Sequence, residues 1–214
     1  MQNYQHEFIR YAIDCDVLRF GDFKLKSGRR SPYFFNTGLF DTGARLDRLG
    51  QFYAEAMLAK RIQADILYGP AYKGIPLACT TAIALSRKTG EEIPFAFNRK
   101  EAKDHGEGGT IVGSPLKGDV LILDDVITAG TSVRESVEII RAAGARACGV
   151  LIALDRQEKG QGDHSAVEEV ADLFQTPVHS IIGLNDIIDY LESCGRQTEL
   201  GAIRRYQSAD GEIS

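Results

Sequence analysis

Apolar residues recur at helical spacing in two stretches near the start of the chain. Phe8, Ile9, Ala12 and Ile13 share a face between Tyr4 and Cys15. Leu46, Leu49, Phe52, Tyr53, Ala56 and Met57 do so between Asp41 and Lys60, and each stretch predicts an amphipathic helix. Between them, Gly21 to Gly38 mixes aromatic and β-favouring residues with the turn formers Ser27-Gly28 and Ser31-Pro32, which predicts short extended segments in a small N-terminal lobe. From Asp65 onward the pattern changes. Short apolar runs at Ile66–Tyr68, Ile93–Phe97, Val120–Leu123, Cys148–Leu154 and Val178–Ile182 are interleaved with helical stretches at Ile75–Lys88, Thr131–Ala143, Ser165–Phe174 and Leu184–Leu191. This alternation predicts an α/β fold around a parallel sheet, and the unbroken apolar character of the runs places helices on both of its faces. Arg99 to Gly113 is polar, charged and contains four glycines, so most of it reads as a mobile loop.

The chain has 214 residues, 43% of them hydrophobic, which suits one domain with a single core and a small appended lobe. Cys15, Cys79, Cys148 and Cys194 are scattered and show no spacing for zinc or a disulfide framework. A formal net charge of -5 and the lack of a basic stripe argue against a dedicated nucleic-acid partner. No apolar run is long enough to span a membrane, and His6, Glu7 and Arg10 stand where a signal peptide needs a hydrophobic stretch, so the expected location is cytoplasmic.

In open α/β sheets ligands bind beyond the carboxyl ends of the strands, so the residues that follow each apolar run carry the chemistry. The strongest pattern is Val120 to Ser132, VLILDDVITAGTS: a buried strand, two carboxylates, a glycine-containing turn, then a helix. Thr128, Ala129, Gly130, Thr131 and Ser132 offer successive backbone N–H groups and three hydroxyls at a helix N-terminus, a setting suited to a phosphate dianion. Gly130 removes the Cβ that would hinder close approach. Asp124 and Asp125 can accept hydrogen bonds from vicinal sugar hydroxyls. Neither a Walker A loop nor a dinucleotide-binding Gly-x-Gly-x-x-Gly fits this stretch.

This stretch resembles the phosphoribosyl pyrophosphate (PRPP) signature of the type I phosphoribosyltransferases. The segments Leu25–Asn36, Gly69–Pro76, Phe97–Gly109 and Leu154–Arg156 further resemble the bacterial-type orotate phosphoribosyltransferases, and the likeness runs from about Tyr4 to about Leu191. The last twenty or so residues look unconstrained. The resemblance implies the type I fold, a central parallel sheet flanked by helices with an N-terminal hood mainly over residues 1–40. It also implies conversion of orotate and PRPP to orotidine 5′-monophosphate and pyrophosphate with Mg²⁺ in pyrimidine synthesis, in a homodimer whose lid, about residues 99–113, closes over the neighbouring subunit's donor.

For the donor, the resemblance implies contacts from Lys26, Tyr72, Lys73, Arg99, Lys100, Lys103, His105 and Asp124 through Ser132, the backbone of Val126 and Ile127 included. Lys103, His105, Asp124 and Asp125 are its catalytic residues, and a cis peptide is expected between Ala71 and Tyr72. No protein side chains beyond water-mediated Asp124 or Asp125 are expected on the metal, which PRPP itself carries. For the base it implies Lys26, Phe34, Phe35, Thr128 and Arg156. A ring carboxylate calls for a cation, and Arg156 offers a planar fork at a strand end; one of the two phenylalanine rings suits core packing equally well. His105 reads as a general acid for pyrophosphate or as a simple hydrogen-bond donor to it, the donor role being favoured and the sequence not separating the two. The rival readings are a phosphoribosyltransferase for another base and a PRPP-sensing regulator, though no basic patch of the kind a regulator adds is visible.

Overall fold

The computed structural model describes residues 1–24, 28–103, 109–128, 130–160 and 164–212, with backbone alone at 102, 103, 109 and 209–212. A hairpin, β1 (Leu18–Lys24) and β2 (Arg30–Phe35), forms a two-stranded antiparallel sheet of its own. The main sheet has six strands in the order β5-β4-β3-β6-β7-β8: β3 (Ile66–Gly69), β4 (Phe95–Lys103), β5 (Gly109–Gly113), β6 (Asp119–Asp124), β7 (Arg146–Asp155) and β8 (Val178–Gly183). All neighbours are parallel except the β4–β5 pair at one edge.

Strand side chains alternate between two apolar layers, as a period of two demands. Leu67, Leu121, Leu123, Leu151 and Ala153 pack toward α1 (Asn3–Asp14), α2 (Gly43–Ala59), α3 (Gly74–Thr89), α6 (Leu184–Ser193) and α7 (Gln197–Glu212). Ile66, Tyr68, Val120, Ile122, Val150 and Ile152 pack toward α4 (Thr131–Ala142) and α5 (Ala166–Phe174). Local signals fix several helix ends. Ser165 Oγ accepts from Glu168 N–H while the Glu168 carboxylate accepts from Ser165 N–H, a reciprocal cap at the start of α5. Gly90 ends α3 in the left-handed conformation. All four cysteines are free thiols. Among the described residues no helix is long and apolar enough to cross a membrane.

Two expectations are corrected. The stretch 99–113 is not mainly loop: β4 runs to Lys103 and β5 starts at Gly109, paired antiparallel through Asn98↔Ile111 and Lys103↔Gly109. The apolar run Ile93–Phe97 marks only the start of β4; beyond it Asn98 to Glu101 is polar, and a strand at the sheet edge needs no apolar alternation to pair, so the hairpin arm carried no hydrophobic signal. The C-terminal segment is not unconstrained either, since α7 buries Leu200 and Ile203 at 3% and 0% exposure in the core. With Leu200 and Ile203 three residues apart in an otherwise polar stretch, the apolar stripe is too narrow to stand out as amphipathic.

The chain passes from β3 outward to β4 on one side, then returns to place β6 on the other side of β3. The carboxyl ends of β3 and β6 therefore flank the point where strand order reverses, which is where open α/β sheets bind ligands.

Candidate active site

Two turns meet at that point. The first, Gly69 to Lys73, leaves β3 for α3. It is so tight that a Cβ on Gly69 would lie 2.0 Å from the Gly74 carbonyl oxygen, and one on Gly74 would lie 2.4 Å from Pro70 Cδ. The Ala71–Tyr72 peptide is cis, the isomer the resemblance implied. Asn98 on β4 ties the turn down by accepting from Ala71 N–H at 2.8 Å. Tyr72 is 68% exposed, and Lys100 Nζ stands 5.3 Å from its ring centroid.

The second turn leaves β6 through the paired acids, both nearly buried. Asp124 Oδ1 accepts from Asp125 N–H at 2.9 Å and Oδ2 from Ser132 Oγ at 2.8 Å. Asp125 Oδ1 accepts from Val126 N–H at 2.9 Å, while Oδ2 accepts from Lys73 Nζ at 2.7 Å and from Thr37 Oγ1 at 2.8 Å. Behind them Tyr53 of α2, fully buried, donates to the Asp124 carbonyl at 2.7 Å. The acids are thus fixed from the hood, α2, the first turn and α4 at once. The Lys73 side chain is 59% exposed. A pair with so open a cation contributes little to stability, so Lys73 can turn to an incoming anion at small cost.

Beyond the acids, α4 begins at Thr131 with Gly130 as its N-cap in the left-handed conformation and no side-chain cap. The first-turn N–H groups are left for an anion, with the helix dipole in its favour. Gly130 is required twice over, by its φ of 68° and by Val170 Cγ2, which a Cβ would meet at 2.6 Å. The Ser132 hydroxyl differs from expectation: it is committed to Asp124, so Ser132 can offer a phosphate its backbone N–H while its side chain orients the acid.

Burial pushes the Asp124 carboxyl from its usual 3.8 up to about 6, assisted by the neighbouring Asp125 and only partly offset by Ser132. The fold therefore holds a proton on Asp124 more tightly than the unfolded chain does. Below pH 3.8 both states are protonated and this group costs nothing; as pH rises through 6 the native state must bury an ionised acid, and stability falls by roughly 3 kcal/mol. Asp124→Asn should accordingly raise the unfolding free energy of the ligand-free protein by about 2–3 kcal/mol at pH 8 and by almost nothing at pH 3.5. Urea denaturation at the two pH values checks this, and equal effects at both would contradict it.

Against the acid turn lies a cavity of about 730 Å³, lined among others by Phe34, Val126, Ile127, Thr128, Arg29 and Arg156. Phe34 is partly open and its ring lies 5.6 Å from that of Phe23, whereas the Phe35 ring is 9% exposed and packs edge-on against Phe8. Both residues line the cavity, and Phe35 is the more buried of the two. The Arg156 guanidinium lies 4.7 Å from the Tyr33 ring centroid and is paired with Glu158 at 2.6 Å. Lys26, His105 and Ala129 lie outside the described residues, as does the Lys103 side chain; Arg99 is half-buried on β4.

Sequence reasoning missed Thr37, Tyr53, Asn98, Glu158 and Tyr206. Asn98 stands inside the Phe97–Gly109 segment and Glu158 just past Leu154–Arg156, but their partners, like those of Thr37, Tyr53 and Tyr206, come from segments distant in sequence.

A family model described as "Phosphoribosyl transferase domain" matches residues 37–178, about two thirds of the chain and inclusive of both turns. The chain belongs to the phosphoribosyltransferase family. Within it, the chain is 68% identical over 211 residues to the orotate phosphoribosyltransferase of Methylococcus capsulatus, covering 99% of each. It is 59% identical over 212 residues to that of Pseudomonas aeruginosa, covering 99% of this chain and all of the other. The crystal structure of the Francisella tularensis orotate phosphoribosyltransferase superposes with a TM-score of 0.86 at 40% identity, covering 95% of this phosphoribosyltransferase and 98% of that one.

Proposed function

We propose that this phosphoribosyltransferase transfers the ribose 5-phosphate of PRPP to orotate, giving orotidine 5′-monophosphate and pyrophosphate in UMP biosynthesis. The observation that carries the reading is the adjacency of two sites: a buried acid pair heading an uncapped helix, and a cavity bearing guanidinium groups beside it. Full-length likeness to orotate phosphoribosyltransferases supports the choice of base.

In this reading the α4 N-terminus and Thr128 to Ser132 hold the 5-phosphate, and the Asp124 and Asp125 carboxylates accept from the ribose hydroxyls. With the sugar so fixed, its C1 faces the base cavity, where Phe34, Thr128 and Arg156, with Lys26, orient orotate. The ring nitrogen bonds to C1 from one face as the C1–O bond to pyrophosphate breaks on the other, inverting C1 through an oxocarbenium-like transition state. No protein nucleophile takes part. Lys73, Arg99 and Lys100, with Lys103 and His105, stabilise the charge that grows on the leaving group, while Tyr72 and the backbone of its turn line its path. Among the described residues no three acidic, histidine or cysteine side chains gather to hold a metal, and the hard oxygens of Asp124 and Asp125 suit a cation carried chiefly by PRPP. Mg²⁺ so bound would neutralise part of the pyrophosphate charge.

The β4–β5 hairpin supports a shared-site homodimer. The last β4 residue paired to β3 is Phe97, so at ~3.3 Å per residue the strand to Lys103 projects roughly 20 Å past the end of β3. An arm of that reach serves a neighbouring subunit's site as readily as its own, in keeping with a lid from the partner, and the whole assembly is read as cytoplasmic.

The deciding experiment follows orotate absorbance. We expect loss that requires both PRPP and Mg²⁺, with uracil, hypoxanthine and adenine turned over at least 100-fold more slowly; preference for one of those bases would replace orotate as the substrate, and PRPP binding without turnover of any base would favour a regulator.

A further inference from the structure

Glu158 follows β7 and its side chain is 12% exposed, yet it gathers donors from three distant parts of the chain. Arg156 donates to Oε1 through Nε at 2.8 Å and Nη2 at 2.6 Å. Tyr206 of α7 donates its hydroxyl to the same oxygen at 3.0 Å, and Arg29, beside the hood strand β2, donates to Oε2 at 2.9 Å. The Tyr33 ring completes the group, lying under the Arg156 guanidinium and meeting the Tyr206 ring edge-on at 6.4 Å. Two guanidiniums sharing one carboxylate leave a net positive charge on the wall of the base cavity. Arg156 Nη1 makes no hydrogen bond among the described residues, so one corner of the fork remains for a ligand.

We propose that Glu158 is the positioning residue of the base subsite, and that the C-terminal helix takes part in base recognition through Tyr206. Resting on the orotate reading, this assigns Glu158 the task of holding the Nε–Nη2 edge of Arg156 so that Nη1 meets the ring carboxylate of the substrate. The physical reason is preorganisation. A long side chain that must be ordered on binding loses rotamer freedom, and one already clamped by charge-assisted bonds and an aromatic face loses little. The clamp also couples three segments that no local motif joins, because hood, strand end and C-terminal helix each supply one donor residue.

Glu158→Gln keeps the shape, removes the charge and leaves a single acceptor oxygen for four donor groups from three residues. Tyr206→Phe removes one hydroxyl. With steady-state kinetics on the intact enzyme, Glu158→Gln should raise the KM for orotate about tenfold, and Tyr206→Phe two- to threefold, while kcat and the KM for PRPP stay within twofold of wild type. Isothermal titration of orotidine 5′-monophosphate should weaken in parallel. Orotate KM values within twofold of wild type in both variants would overturn the assignment, as would a joint decline of kcat and both KM values, which is what a merely structural residue gives. Should Glu158→Gln fail to fold, Tyr206→Phe decides alone. A wild-type enzyme that does not consume orotate removes the underlying reading itself, whereas an active wild type with unaltered variants removes only the role of Glu158.

Discussion

Lys103→Ala lowers kcat by about 10²–10³ with little change in melting temperature, the expected result for losing one electrostatic donor to a departing pyrophosphate. Its place in the chain makes the case. Lys103 is the last residue of β4, paired with Gly109 across the mouth of the edge hairpin, far beyond the end of the β3 register. The backbone at this position pairs only with the hairpin's other strand, which is why stability should stay constant while turnover falls. The change should appear in kcat more than in the KM for PRPP, because charge on the leaving group develops only as the C1–O bond breaks. A kcat within twofold of wild type, with chemistry shown to be rate-limiting, removes the residue from the mechanism. The same variant tests the shared site. Mixed with Asp124→Asn subunits and allowed to re-equilibrate, inactive Lys103→Ala subunits should recover about a quarter of wild-type activity, since half the dimers are then mixed and each has one intact site. No recovery would place the arm over its own subunit's site.

Gly69→Ala is expected to destabilise the protein by about 3 kcal/mol or more, beyond the usual range for overpacking. The added Cβ would lie 2.0 Å from the Gly74 carbonyl oxygen and 3.0 Å from Ala78 Cβ. Neither neighbour can swing aside, because the first is backbone and the second sits on a buried helix face. Relief requires moving the start of α3 away from β3, which displaces Lys73 from Asp125 and opens the turn that faces pyrophosphate. For a chain of this size the melting temperature should fall by roughly 10 °C, with PRPP-dependent activity lost in the same variant. Gly43→Ala is the control: nothing lies within 4 Å of a Cβ there, so the helix-favouring residue should leave stability equal or slightly higher. Comparable melting curves for Gly69→Ala and wild type would show that the turn is more forgiving than its geometry implies.

Much of the fold was legible in the order of residues. The interleaved apolar runs specified β3, β6, β7 and β8 and their helices within a few residues, because strands covered on both faces must be apolar throughout. The edge hairpin and α7 were not legible. One is a polar arm at the sheet edge and the other buries too narrow a stripe, so neither carries the periodicity that sequence reading depends on.

The candidate site divides along the same line. Asp124 to Ser132 is contiguous, and its chemistry follows from a strand end, a glycine and a helix start, all local features. Sequence alone thus determined the sheet-centred architecture and the phosphate cradle. Only the tertiary structure decided that Thr37 and Lys73 converge on Asp125, that the Ser132 hydroxyl serves Asp124 rather than a phosphate, and that Tyr206 reaches the base cavity through Glu158. Apart from Ser132–Asp124, whose geometry depends on how α4 leaves the turn, those contacts join residues remote in sequence, and a side chain's partner across such a gap is set by how helices and sheet pack, which no local pattern encodes.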